Sequence, residues 1–248
     1  MGAVTLSVTV LGCSGSYAGP GGACSGYLVR AADTAVWMDA GPGTLANLQR
    51  HLDLDELDGV VLSHAHPDHW VDVLPFHNVA RYIRPRTGLP VASPAAVRDL
   101  AAAVNGELVP AFDWQVVADG DVTRIGALTF RFSRTDHPGE TLAMRVDGDG
   151  ASLGYTADTG PGWSLATLGP DLGLALCEAT FPPEAGGRPH HLTAAQAGAD
   201  ARSASVRRLV LTHLQPGVER DRSRADAAEA FGAPVDVAAI DDHHEVHP

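Results

Sequence analysis

Ser63-His64-Ala65-His66-Pro67-Asp68-His69 follows directly on the apolar run Gly59-Val60-Val61-Leu62. The run reads as a strand, and in an extended chain residues two apart point to the same side. His64 and His66 can therefore share one cation. Pro67 then redirects the chain, so Asp68 and His69 fall in the first turn of a helix and can face a second cation. Imidazole nitrogen with carboxylate oxygen suits Zn²⁺, with Mn²⁺ and Fe²⁺ as competitors. Four potential ligands in six positions at a strand-to-helix junction are hard to reconcile with a loop that is merely rich in histidine.

Outward from this junction the chain alternates between strand and helix signals. Short β-rich runs, most of them bounded by Gly, Pro, Asp or Asn, lie at 4–11, 26–30, 35–39, 59–63, 89–92, 115–118, 127–132, 141–146, 151–156, 173–177, 208–212 and 235–240. Helical periodicity is clearest at 43–51, 68–83, 94–104, 192–204 and 222–231. Pro94 after Ser93, and Thr193 before an Ala-rich run, read as helix starts. No repeat of fixed period appears, although the two halves are loosely similar in pattern. With no Gly/Ser-rich or charged linker dividing it, the chain reads as a single layered α/β domain over 1–248.

Hydrophobic residues make up 45% of the 248 and charged residues 19%, which is enough apolar side chain for a sizeable core. No apolar stretch is long enough for a membrane span. The chain opens into an alternating strand from Val4 to Val10 without a basic leader, and its three cysteines have no Cys-x-x-Cys spacing. Both features predict a cytoplasmic protein in a reducing compartment. The net charge is −13 and all 17 basic residues are Arg. Such a surface repels a phosphate backbone, so a long nucleic acid would need a local basic patch. The best candidate, Arg81-Tyr82-Ile83-Arg84-Pro85-Arg86, reads more simply as a solvated turn. His243, His244 and His247 likewise read as part of a solvated C-terminal tail rather than a metal-catching one.

The order His64-x-His66-x-Asp68-His69 after a strand resembles the signature of the metallo-β-lactamase superfamily, and within it the ribonuclease Z-like branch. Short bacterial members that act as cyclic-nucleotide phosphodiesterases are the nearest likeness. The resemblance runs over almost the whole chain, from Leu11-Gly12-Cys13-Ser14-Gly15-Ser16 through Met38-Asp39-Ala40-Gly41-Pro42-Gly43-Thr44. It implies a four-layer αββα sandwich holding two divalent cations. Asp39 matches an acidic residue that orients the metal ligands from behind. His137 in Thr135-Asp136-His137-Pro138, Asp158 in Tyr155-Thr156-Ala157-Asp158 and His213 in Leu211-Thr212-His213-Leu214 match the later ligand positions. By that likeness one metal takes His64, His66, His137 and Asp158. The other takes Asp68, His69, Asp158 and His213, with Asp158 bridging the pair.

Two further segments resemble the ribonuclease Z-like branch. Cys177-Glu178-Ala179-Thr180-Phe181 is similar to its His-Glu-Ala-Thr segment, with Cys where the branch has His. His191-Leu192-Thr193 is similar to its His-Ser-Thr helix start. The resemblance implies that His191 contacts phosphate and protonates the leaving oxygen, and that Glu178 holds it in place. With Asp68, these two make up the expected catalytic set, while His190 has only its neighbourhood to recommend it. One departure matters: no long Gly/Pro-rich insertion for gripping tRNA lies between the motifs.

The implied activity is hydrolysis of a 3′,5′-cyclic nucleotide or another small phosphodiester through a metal-bridging hydroxide. Thioester or lactone hydrolysis on the same site is an alternative, and tRNA 3′-end cleavage a further one. The expected partner is a small-molecule substrate, with no membrane and no long nucleic acid, and the resemblance adds a possible homodimer. A metal-binding domain without catalysis is disfavoured by the seven intact ligand candidates. Fold alone does not choose between phosphodiester and acyl substrates.

Overall fold

The structure is a computed structural model and describes residues 5–182, 184 and 190–248; the expected strand start at Val4 lies outside them. Two seven-stranded mixed sheets face each other. The first contains β1 (Ser7–Gly12), β2 (Gly26–Ala31), β3 (Thr34–Ala40), β4 (Gly59–Val61), β5 (Leu89–Ser93) and β6 (Phe112–Val116). The second contains β7 (Val122–Ile125), β8 (Leu128–Arg134), β9 (Leu142–Gly148), β10 (Ala151–Tyr155), β11 (Leu174–Glu178), β12 (Leu209–Thr212) and β13 (Asp236–Val237). The last strand, β14 (His243–Glu245), returns to the first sheet beside β1.

Each sheet starts as an antiparallel meander and continues with parallel strands. In the first, β1, β2 and β3 pair antiparallel before β4, β5 and β6 run parallel. In the second, β7 to β10 pair antiparallel before β11, β12 and β13 run parallel. The similarity of the two halves is thus a repeated topology, and it gives the metallo-β-lactamase fold expected from the sequence.

Apolar residues divide into three layers because strands buried on both faces need cover on both. Between the sheets lie Val8, Tyr27, Met38, Phe130, Met144, Leu153 and Tyr155. Outside the first sheet, Trp37 and Phe112 pack under α1 (Thr44–Leu48), α2 (Val73–Asn78) and α3 (Ala95–Asn105). Outside the second, small residues dominate the contact with α4 (Ala194–Ser203) and α5 (Arg220–Phe231). Thr193 starts α4 with a capping box: its hydroxyl accepts from Gln196 N, and Gln196 Oε1 accepts from Thr193 N at 2.9 Å. This fixes the backbone two residues beyond His191.

Three sequence expectations change. The helix expected over 68–83 is a short 3₁₀ turn (Pro67–His69), then α2, then one π turn (Val79–Ile83). Tertiary bonds break it, because Asp72 N donates to Ala40 O at 2.9 Å and Asp72 Oδ2 accepts from Leu45 N at 2.8 Å. The Arg81–Arg86 segment is only partly a solvated turn. Arg86 donates to the carbonyls of Leu54 and Leu57, and Arg81 to that of Val109, while Tyr82 and Ile83 are exposed. The tail is not solvated: Val246 is fully buried and donates its N–H to Leu6 O at 2.8 Å. His244 is also buried, while His243 and His247 are exposed or nearly so.

Candidate metal centre

Every candidate ligand sits at or just beyond a strand end on one rim of the sandwich. The first sheet delivers Asp39 from β3 and the His64–His69 segment beyond β4. The second delivers His137 from the β8–β9 loop, Asp158 after β10 and His213 after β12. The backbone there is unusual: Asp39, Ala157 and His213 have φ of 55°, 48° and 57°, in the left-handed region. Two glycines let the loops close in. A Cβ on Gly15 would stand 2.3 Å from His213 O, and one on Gly41 2.1 Å from Asp68 O.

Two groups of ligand atoms face each other across Asp158. On one side, His66 Nδ1 lies 3.1 Å from both His64 Nε2 and His137 Nε2. Oδ2 of Asp158 is 3.6 Å from His64 Nε2 and 3.8 Å from His137 Nε2. On the other, His69 Nε2 and His213 Nε2 are 3.2 Å apart, with Asp158 Oδ1 at 3.2 and 3.3 Å from them. Asp68 Oδ2 completes this group at 3.2 Å from His213 Nε2 and also accepts from Ser16 N at 2.8 Å. All seven candidates are therefore brought together, and only His66 is more than slightly exposed.

In His64, His69, His137 and His213 the other ring nitrogen is committed. His69 Nδ1 donates to Asp39 Oδ2 at 2.7 Å, and His64 Nδ1 meets Ser63 Oγ at 3.0 Å. Ser63 Oγ in turn donates to Asp39 Oδ2 at 2.8 Å, while Ser63 N donates to Asp39 Oδ1 at 2.7 Å. His137 Nδ1 donates to the carbonyl of His190 at 2.9 Å, and the exposed His190 ring meets that of His137 edge to face with centroids 6.4 Å apart. His213 Nδ1 meets Thr180 Oγ1 at 2.7 Å, and that hydroxyl donates to Glu178 Oε2 at 2.6 Å. Asp39 and Glu178 are both fully buried, and each steadies one imidazole directly and another through a hydroxyl. Ser63 and Thr180 were not among the sequence candidates, although each lies inside a quoted motif.

This arrangement fits divalent cations. With the outer nitrogens held, the inner nitrogens of His64, His69, His137 and His213 converge on Asp158 and are the atoms a cation would meet. Asp158 Oδ1 is buried and accepts no hydrogen bond. Burial would raise the Asp158 carboxyl, but His213, His69 and His64 around it hold it well below the carboxylate range. Burial also opposes charge on His69, yet Asp158 and Asp39 outweigh it and raise that ring well above the usual histidine value. The centre thus gathers carboxylates and uncommitted imidazole nitrogens around a point that favours positive charge.

His191 stands at the edge of this group. Its Nδ1 is 2.9 Å from Glu178 Oε1, and its ring lies against those of His137, His213 and Phe181. A ring nitrogen of His191 shares a cluster with Asp158 and His213. Burial opposes its charged form, but the hydrogen bond and charge of Glu178, then Asp158 and Asp68, raise its pKa. A cavity of about 210 Å³ opens on His64, His66, Pro138 and Glu140, and one of about 380 Å³ lies beyond Phe181 toward Gln215 and Arg222. The larger falls in the range of small-molecule sites.

Comparison with known proteins supplies context for this geometry. The model of the beta-lactamase superfamily domain matches residues 34–214. An uncharacterised protein of Mycobacterium tuberculosis is 36% identical over 260 residues, covering 98% of this chain and 93% of that one. The probable metallo-hydrolase YhfI of Bacillus subtilis is 30% identical over 240 residues, covering 94% and 97%. Its crystal structure superposes with a TM-score of 0.88 at 26% identity, over 97% of this chain and 99% of that one. Ribonuclease Z of Mycobacterium avium is 29% identical over 275 residues, covering 97% and 98%. Among the described residues no helix is long and apolar enough to cross a membrane.

Proposed function

Because the chain belongs to the beta-lactamase superfamily and is a metallo-β-lactamase-fold hydrolase, we propose that it hydrolyses 3′,5′-cyclic nucleotides or another small phosphodiester. It would do so as one cytoplasmic domain with two divalent cations, Zn²⁺ ahead of Mn²⁺ and Fe²⁺. His64, His66 and His137 would hold one cation, Asp68, His69 and His213 the other, and Asp158 both. A bound pair of this kind supplies a hydroxide at neutral pH and neutralises charge on the phosphate oxygens.

The observation that carries this reading is the Glu178–His191 pair beside the cluster. Glu178 holds the proton on Nδ1 of the neutral ring and favours the doubly protonated form, in which Nε2 also carries a proton. His191 can then give that proton to an alkoxide leaving group, which cannot depart unassisted. Asp68, held by Ser16 N–H, would accept a hydrogen bond from the nucleophile that the cations supply. The ring of Phe181 packs edge to face against that of His191.

A panel of a 3′,5′-cyclic nucleotide, an acyl thioester, a lactone and a precursor tRNA tests the reading. Turnover of the cyclic nucleotide is expected, with precursor tRNA a poor substrate. The net charge of −13 opposes tRNA, because it removes the counterion-release contribution to affinity. Turnover confined to the acyl substrates would replace the phosphodiester reading, and efficient tRNA 3′-end cleavage at ordinary salt would favour the ribonuclease alternative.

A further inference from the structure

We propose that Tyr27 and Tyr155 are positioning residues that set the separation of the two halves of the metal centre and thereby hold its second cation position. Each tyrosine belongs to one sheet and reaches across to the other. Tyr155, on β10 of the second sheet, donates from its hydroxyl to Asp39 Oδ2 at 2.7 Å, at the end of β3 in the first. Tyr27, on β2 of the first sheet, places its hydroxyl 2.6 Å from Thr212 Oγ1, in the last residue of β12 in the second. The rings meet edge to face, with centroids 5.2 Å apart at 61°. All four residues are at most 1% exposed.

The partners of these hydroxyls are what matter. Asp39 accepts from His69 Nδ1, and Thr212 immediately precedes His213. The two bonds therefore converge on the imidazoles whose Nε2 atoms face each other at 3.2 Å. Of the other group, only His64 is linked to either tyrosine, and only through Ser63 and Asp39. Apolar contact between stacked sheets is non-directional and tolerates small sliding movements, whereas a hydrogen bond fixes distance and direction. Two side-chain ties therefore cross the inter-sheet layer beside the centre and end on the same ligand pair, while the sheets are joined beside His64 by a backbone bond from Leu142 N to Ser63 O at 3.1 Å. Burial raises both phenols well above their ordinary range, which keeps the hydroxyls available as donors.

The inference rests on the ligand assignment and is independent of the substrate. Tyr155→Phe and Tyr27→Phe keep the rings and remove the hydroxyls, and Thr212→Val removes the second tie from its other end. Binding of Mn²⁺ would be followed by competition with a chromophoric chelator and by electron paramagnetic resonance. Loss of a residue behind a metal ligand weakens metal affinity by roughly 10–100-fold. The expected result is that loss at one position, with the other within about threefold of the parent. The exchange-coupled signal of a manganese pair should give way to that of isolated ions. Phe130→Leu, in the same inter-sheet layer but without a polar tie, should lower the unfolding temperature and leave both affinities alone. The proposal is overturned if the hydroxyl-deleted proteins bind two ions as the parent does, if both positions weaken alike, or if Phe130→Leu has the same effect. If one tyrosine variant does not fold, the other and Thr212→Val decide. A parent protein that binds fewer than two ions would overturn the assignment and the inference together.

Discussion

Nδ1 of His191 lies 2.9 Å from Oε1 of Glu178, a carboxylate with no solvent exposure. Glu178 Oε1 also accepts from Thr159 N at 2.7 Å, and its Oε2 from the Thr180 hydroxyl, so the acid cannot swing away. The imidazole is held by its inner nitrogen and leaves the other for chemistry.

If that other nitrogen delivers the leaving-group proton, His191→Ala should lower kcat on a cyclic nucleotide by roughly 10²–10⁴-fold. Bis-p-nitrophenyl phosphate, whose leaving group departs without a proton, should lose much less, and the metal content should not change. Equal losses on both substrates would make His191 a phosphate contact, and normal turnover of both would leave it only a helix-start residue.

Glu178→Gln keeps the shape and removes the charge. If His191 acts in its protonated form, activity is present below its pKa and lost as pH rises through it. Glu178 raises that pKa, hence the alkaline limb of kcat/KM should move to lower pH in the variant. Metal analysis run alongside separates this from an effect through Thr180 on His213. A limb that stays in place while the ions are retained would contradict the charge coupling.

Asp158 offers Oδ2 to one group of imidazoles and Oδ1 to the other. Purified without chelator, the parent should carry close to two transition-metal ions per chain. Asp158→Ala should drop toward one and lose more activity than any single histidine change. Two ions retained in the variant would rule out a bridging carboxylate.

Val246 is fully buried beside β14, and Asp241 N and Val10 N exchange hydrogen bonds with the carbonyls of Val10 and Asp242 at 2.9 Å. Val246→Ala should therefore cost about 2 kcal/mol of stability. That corresponds to roughly 4–8 °C in unfolding temperature for a chain of this size. A solvated tail would show no change.

The difference between that outcome and the sequence reading is instructive. His64 to His69 were legible because four candidate ligands fall within six consecutive residues just after a strand. His137, Asp158 and His213 were legible through the order of their motifs, since each alone is an ordinary loop residue. The residues behind them were harder, because their partners are remote in sequence: Tyr155 meets Asp39 across 116 positions and Tyr27 meets Thr212 across 185. No periodicity reports such a pairing. β14 was missed for the same reason, as three polar residues become a strand only because β1 presents a free edge. The expected helix over 68–83 failed where Asp72 bonds to residues about thirty positions earlier.

Asp39, Ala157 and His213 share the left-handed backbone described above, and so does Ser16, whose N–H holds Asp68. Aspartate and histidine tolerate that conformation better than most residues, and asparagine does too. Alanine scanning will therefore mix two effects at positions 39 and 213, removing the functional group and the residue type suited to the turn. Asp39→Asn and His213→Asn are the cleaner probes. The same constraint narrows the paths open to natural variation: a descendant that abandons the metals is freer to change His66 or His137 than to place a β-branched residue at 39, 157 or 213.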